Sequence, residues 1–449
     1  MCDLVNPHMP GTTILTTKES IERQASVDLR KRWFRILPAV FVTYSLAYLD
    51  RANYGFGAAA GLAATLNITK SRAALLGAIF FLGYFLFQVP GAAYARKKSA
   101  RHLVFFALVA WGVLAALTGV IRNFWLLVVD RFFLGVAESF ILPAMLILLM
   151  GWFTRTERSR ANTFLILGNP VTVLWMSLVT GYLISAIGWQ MTFVVEGIPS
   201  VIWGVVWLLL IRDKPREVSW MRSDSCAHLE HRLEQEQSQL QTVPRLRVVF
   251  EHPSVIWLCI QYFFWSAGVY GFVLWLPVIV KNGAARGIGA TGLLSAAPYI
   301  GAVLMMILVS HFSDHSSQRK RFIWPFLLIS GLAMLGSFFT ASLSFWLAYA
   351  FLIVSCAGMY APYGPFFAIV PEMLPKNVAG EVMALVNSCG ALGGFVGTWF
   401  VGLLEAHTGN SKDGFLLMSV CLVISGFLIL CLKTSTQSSN PLTKQFSLN

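Results

Sequence analysis

Charge is what this chain has least of. Only 12% of its 449 residues are Asp, Glu, Lys or Arg, against 56% hydrophobic, which excludes an ordinary soluble globular protein of this length. A disulfide framework is excluded too. Of seven cysteines, Cys2 and Cys226 fall in polar stretches and Cys259, Cys356, Cys389, Cys421 and Cys431 in apolar ones, and no pair has metal-ligand spacing. No nucleophile–base pair, metal cluster or phosphate-binding glycine loop appears, so neither an enzyme nor a cofactor is expected. Residues 1–33 carry Lys18, Arg23, Arg30, Lys31 and Arg32 without an apolar core. They do not read as a cleavable signal, which leaves the first apolar segment to act as the anchor.

What the chain has instead is long apolar runs. Stretches able to cross a bilayer as helices recur at 34–57, 72–94, 103–121, 124–149, 161–187, 191–211, 255–280, 291–310, 322–341, 345–370, 382–404 and 414–432. The pattern predicts an all-α integral membrane protein with twelve transmembrane helices in two six-helix bundles. Its parts are a tail over 1–33, bundles over 34–211 and 255–432, a polar linker over 212–252, and a second tail over 433–449. Such a linker suits two halves that move against each other. Similar basic turns after spans 2 and 8, around Arg96-Lys97-Lys98 and Arg319-Lys320, hint at an internal repeat.

Most of the 34 basic residues lie in the tails and in the connections after spans 2, 4, 6, 8 and 10. The alternate connections hold Lys70, Arg122, Lys281, Arg286 and Lys412, with Arg72 at the first position of span 2. By the positive-inside rule both termini are expected in the cytoplasm. The net charge of +13 then reflects topology and attraction to anionic lipid, with no support for nucleic-acid binding.

The rare intramembrane charges fall in two short words, Tyr48-Leu-Asp50-Arg51-Ala-Asn53 and Asp130-Arg131-Phe-Phe-Leu-Gly135-Val-Ala-Glu138. A charge at bilayer depth costs about 2.5–3.5 kcal/mol on insertion scales, so such groups usually face a cavity on an ion or substrate path. Tyr44, Tyr48 and Arg51 share one helical face, with Asp50 turned about 100° away. That stripe offers hydroxyl and guanidinium donors to an anion, and the arginine fork can hold a carboxylate through two hydrogen bonds. A structural pair of Arg51 with Asp50 or Glu138 is the competing reading. Arg131, Gly135 and Glu138 also share a face, where a carboxylate feels opposed pressures from desolvation and from a nearby arginine. Asp130 and Glu196 read more simply as structural partners near span ends.

Spans 7–12 lack central charge but carry Gln261, Tyr262, Trp265, Tyr270, Tyr299, Tyr360, Tyr363 and Asn387. Amides such as Gln261, Asn387 and Asn169 donate and accept at once, which suits hydroxyls, although helix–helix hydrogen bonding is their usual intramembrane task.

Taken together these words resemble the anion:cation symporter family of the major facilitator superfamily. The resemblance rests on Tyr48 to Asn53, on Arg131, Gly135 and Glu138 with Pro143, and on Trp152-Phe153-Thr-Arg155-Thr-Glu157-Arg158-Ser-Arg160-Ala161. It extends to Gly188-Trp189, Phe193 and Glu196-Gly197, and to Pro371, Pro375, Gly380, Ala384, Asn387 and Gly390. It implies alternating access and proton-driven uptake of an organic anion, in wording similar to bacterial hexonate carriers, the ketogluconate type among them. Arg51 would then hold the carboxylate, Asp50 and Glu138 would be the protonation sites, and Arg131 would partner the second. Tyr84, Asn169, Gln261 and Asn387 would contact sugar hydroxyls. A monomer in a bacterial cytoplasmic membrane, surrounded by lipid, is the expected setting. Import or exchange of another carboxylate such as tartrate, glucarate or an aromatic acid remains an alternative, as does a non-transporting sensor of a sugar acid. Three departures stand out: Ala95 replaces the usual Asp of the loop after span 2, Ser310 the Gly of its counterpart, and Gln190 the Arg of the Gly-Trp word. The gate pairing of the first half is thereby in doubt, leaving Asp314 as the intact version.

Overall fold

A computed structural model describes residues 11–238, 253–284, 287–316, 319–373, 379–409 and 413–432. Segments so poor in hydrogen-bonding side chains can cross lipid only by satisfying their backbone internally, and the described residues are almost wholly helical. In chain order the helices are α1 (Gly11–Ala59), the single turn α2 (Leu62–Thr65), α3 (Lys70–Lys97), α4 (Ala100–Val120), α5 (Phe124–Ser139), α6 (Ile141–Trp152), α7 (Arg155–Leu210) and α8 (Ser223–Ser238). There follow α9 (Pro253–Ala284), α10 (Ile288–His315), α11 (Trp324–Thr340), α12 (Phe345–Tyr360), α13 (Tyr363–Met373), α14 (Ala379–Thr408) and α15 (Asp413–Cys431).

Ten stretches are long and apolar enough to cross a membrane. One of them, Phe164–Leu210, has 47 residues and breaks at Gly188, where φ is 79° and ψ 162°, so it crosses twice. α1 supplies the twelfth crossing, through the apolar stretch that holds Asp50 and Arg51. Large side chains such as Phe106, Trp125, Leu209 and Phe339 stand exposed around the outside, as lipid-facing residues do. Short polar residues start the helices: Thr69 accepts from Arg72 N–H, Ser99 from His102 N–H, and Asn123 from Trp125 and Leu126 N–H.

Two hydrophobic cores form. One gathers mainly residues of α1 and α3–α8, the other mainly residues of α9–α15. They interpenetrate where Leu274 and Ala391 join the first and Tyr48, Leu49, Ala52, Ile166, Val173 and Met176 join the second. Within each, backbones approach closely at glycines. A Cβ on Gly135 would sit 1.9 Å from the Phe80 carbonyl oxygen, and one on Gly393 2.0 Å from that of Phe263.

The segment after α7 is fastened to the helices before it. Asp213 accepts from the Ser99 hydroxyl (2.5 Å) and the Arg101 N–H (2.9 Å). The Trp152 indole donates to the Arg212 carbonyl (3.0 Å) and stacks on Trp220. Met221, Cys226, Leu229 and Leu233 are buried in the first core.

Candidate functional site

Between the two cores lies a narrow cavity lined by both. α1 gives it Tyr44 and Arg51, α3 Tyr84 and Gln88, α6 Pro143, and α7 Asn169. From the other side α9 gives Tyr262 and Tyr270, α13 Tyr363 and Phe367, and α14 Met383 and Asn387. Among the described residues, Arg51 is the sole cation in this lining. Five phenols and three amides make up the rest of its polar surface.

Arg51 is 4% exposed and its Nε donates to Glu138 Oε2 at 2.9 Å. Its guanidinium carbon lies 4.5 Å from the centre of the Tyr84 ring, and Nη1 reaches the Tyr270 hydroxyl at 3.5 Å. An arginine so held is fixed by a carboxylate and packed over an aromatic ring, while still lining the cavity. Glu138 sits there because Gly135, one turn earlier on α5, lets that helix press against the Phe80 backbone of α3.

Of the predicted substrate residues, Arg51, Tyr84, Asn169 and Asn387 meet at the cavity. Tyr48 and Gln261 do not line it. The Tyr48 hydroxyl lies 3.4 Å from that of Tyr360, and Gln261 Nε2 donates to the Ser425 hydroxyl at 2.8 Å, tying α9 to α15. Among the three predicted coupling residues, Glu138 pairs with Arg51 and not with Arg131. Arg131 instead stacks 4.9 Å from the Tyr54 ring, with Nε 3.4 Å from the Leu76 carbonyl. Asp50 is buried with Glu138 and Arg131 within Coulombic reach. One oxygen each of Asp50 and Glu138, and Nη1 of Arg131, are buried with no hydrogen-bond partner among the described residues. Such groups have unused capacity for a proton, an anion or one another. Asp130 accepts from the Thr118 hydroxyl at 2.6 Å, and the side chain of Asp314 lies outside the described residues.

Gln88 escaped the sequence reading. It is fully buried, lines the cavity, and neither amide atom has a partner among the described residues. In sequence it stands in an apolar run, Phe85-Leu-Phe-Gln88-Val, and only its position on the same face of α3 as Tyr84, one turn away, could have flagged it.

At one end of the cavity the two sides are locked together. Lys70 Nζ lies 3.1 Å from Glu405 Oε1 and Lys281 Nζ donates to the Ala59 carbonyl at 2.5 Å. Below these contacts a Cβ on Gly55 would stand 2.4 Å from the Leu274 carbonyl oxygen, and one on Gly402 2.1 Å from the Ala74 Cβ. Toward the opposite end the Ser388 hydroxyl donates to the Phe85 carbonyl at 2.6 Å.

Known proteins share this architecture. A protein of Agrobacterium vitis named "Putative tartrate transporter" is 31% identical over 417 residues, covering 91% of this chain and 92% of its own. A quinolone resistance transporter of Acinetobacter baumannii is 28% identical, covering 88% of this chain and 92% of its own. The fold is similar to that of a solved bacterial homologue of the human lysosomal transporter Spinster, in an inward-facing, unoccupied conformation. The TM-score is 0.71 at 17% identity, over 88% of this chain and 96% of that one. The sequence model of the Major Facilitator Superfamily matches residues 40–398, and the chain belongs to that superfamily of membrane transporters.

Proposed function

We propose that this transporter imports a hydroxylated organic anion, of the sugar-acid type with a single carboxylate, together with protons. The observation that carries this reading is the composition of the cavity: one guanidinium, backed by a buried carboxylate, among neutral phenols and amides. One cation suits one carboxylate, and the amides of Gln88, Asn169 and Asn387 suit hydroxyls.

In this reading the bundles 34–211 and 255–432 rock about the cavity, with both termini in the cytoplasm of a bacterial cell. A proton on Glu138 releases Arg51 to hold the carboxylate of the solute. Its departure on the inner side lets the two residues pair again as they do here, and the solute leaves. Asp50 is the second proton-coupling group, with Arg131 as the cation that re-pairs as protons come and go. One proton carried with a monovalent anion moves no net charge. Two protons move one, which adds about 2.3 kcal/mol per 100 mV of membrane potential.

A second reading, a dicarboxylate cargo, draws on the name of the Agrobacterium relative. Uptake into proteoliposomes separates them. A panel of gluconate, ketogluconate, galactonate, glucarate and tartrate, with and without an imposed pH gradient, should show accumulation of a monocarboxylate only when the gradient is inward. Preference for tartrate overturns the first reading, and uptake indifferent to the gradient removes the protons.

A further inference from the structure

Glu196 lies apart from the cavity, in the second crossing of α7, where the sequence reading treats it as a structural partner. It is 6% exposed and forms no ion pair among the described residues. Three side chains close a ring there. Asn53 Nδ2 donates to Glu196 Oε2, the Thr180 hydroxyl lies 2.7 Å from Glu196 Oε1, and that same hydroxyl lies 2.9 Å from Asn53 Oδ1. Asn53 and Thr180 are as buried as Glu196.

Three polar contacts need three hydrogens. The asparagine amide supplies one to the ring and the threonine hydroxyl supplies one. With Glu196 ionised, the third contact is oxygen against oxygen with nothing between. Turning the Asn53 amide over does not help. The amide then donates to Thr180, Thr180 donates to Glu196, and Asn53 Oδ1 faces a bare carboxylate oxygen. Either orientation becomes a closed cycle only when the carboxyl contributes the missing hydrogen.

Among the described residues no cation pairs with Glu196 to stabilise an anion instead. α4 packs along residues 190–201 through Gly112 and Gly119. Its ionisable side chains, Arg101 and His102, sit at its first turn, against Leu208 and Ser99. α10 packs on Ser177 and Gly181 through Gly292 and has no ionisable residue before Tyr299. On α1 the facing charges are Asp50, within Coulombic reach of Glu196, and Arg51, already engaged by Glu138.

We infer that Glu196 holds a proton in this conformation, closed in a neutral ring with Asn53 and Thr180, and is a proton site of the transport cycle beyond Asp50 and Glu138. The ring adjoins Asp50 through Asn53, one turn along α1, and the buried Asp50 Oδ2 has no partner among the described residues. A proton leaving the ring therefore has an acceptor on the next turn. The second half of the inference, that this proton moves, rests on the proton-coupled reading above. The first half does not.

The test is an infrared comparison of the purified full-length protein in lipid nanodiscs, in H2O and D2O. Wild type minus Glu196→Gln should contain one deuterium-sensitive C=O stretch of a protonated carboxyl, lost in the variant. Absence of that component means an ionised Glu196 and overturns the inference. Thr180→Val keeps the carboxyl and removes one of its two hydrogen-bond partners, so the component should move to higher wavenumber; an unmoved band breaks the ring assignment, and this variant serves if Glu196→Gln fails to fold. In proteoliposomes Glu196→Gln should keep solute exchange and lose uptake driven by a pH gradient. Wild-type uptake by that variant shows a fixed proton and overturns its part in the cycle. Wild-type protein indifferent to pH would instead defeat the proton-coupled reading and leave the infrared result standing.

Discussion

Replacing Arg51 by methionine should damage stability and binding separately, and a double-mutant cycle with Glu138 can divide the two effects. The pair is almost entirely removed from solvent, at 4% and 0% exposure, with 2.9 Å between Nε and Oε2. Removing one member of a buried pair leaves an uncompensated charge and costs about 3–5 kcal/mol, whereas replacing both with apolar residues of similar volume is often neutral or stabilising. Arg51→Met and Glu138→Met should each lower stability by about 3–5 kcal/mol, and the double variant should recover most of that loss. Chemical denaturation in detergent, read by tryptophan fluorescence, measures all four corners. The lost carboxylate contact, a hydrogen bond to a charged group worth roughly 1.5–3 kcal/mol, should weaken substrate binding by about 10- to 150-fold in Arg51→Met and in the double variant alike. Additive stability losses would refute the pairing. A double variant that binds the anion with wild-type affinity would remove Arg51 from the cargo site.

Three further changes probe other parts. Gln88→Leu should leave thermal stability unchanged or raised, since its amide has no partner to lose among the described residues, yet weaken binding of a hydroxylated acid by about 10-fold or more; titration calorimetry decides, and unaltered affinity excludes contact. Gly135→Ala places a Cβ 1.9 Å from the Phe80 carbonyl oxygen and should cost about 1–3 kcal/mol by overpacking, visible as a lowered unfolding midpoint. Lys70→Ala leaves Glu405, 4% exposed, without its cation. In a background with the native cysteines replaced, it should speed alkylation of Asn387→Cys by an impermeant maleimide added from the Lys70 side; an unchanged rate means that the pair does not hold that end shut.

The helical class and most crossings were legible because lipid leaves a hydrophobic run only one way to satisfy its backbone. Helix starts at Thr69, Ser99 and Asn123 followed from short polar residues ahead of apolar runs. Pairings were less legible. Helical periodicity places Arg131 and Glu138 on one face of one helix, but it says nothing of Arg51 arriving from α1 to take the carboxylate. The amides show the same limit. Gln261 and Gln88 are each a glutamine in an apolar run; Gln261 meets Ser425 on α15, whereas Gln88 meets the cavity. That difference lies in how helices rotate against one another, which no local pattern encodes. The loop word beginning at Trp152 proved to be joinery: Glu157 caps α7 and pairs with the buried Arg32 of α1.

The strap that follows α7 changes how far the two halves can travel apart. Asp213, Trp220 and the buried face of α8 are riveted to the first half, so this stretch rides with it as ballast and gives no slack. The join to the second half is therefore measured from Ser238 to Pro253, and covalent geometry alone limits that distance to about 50 Å.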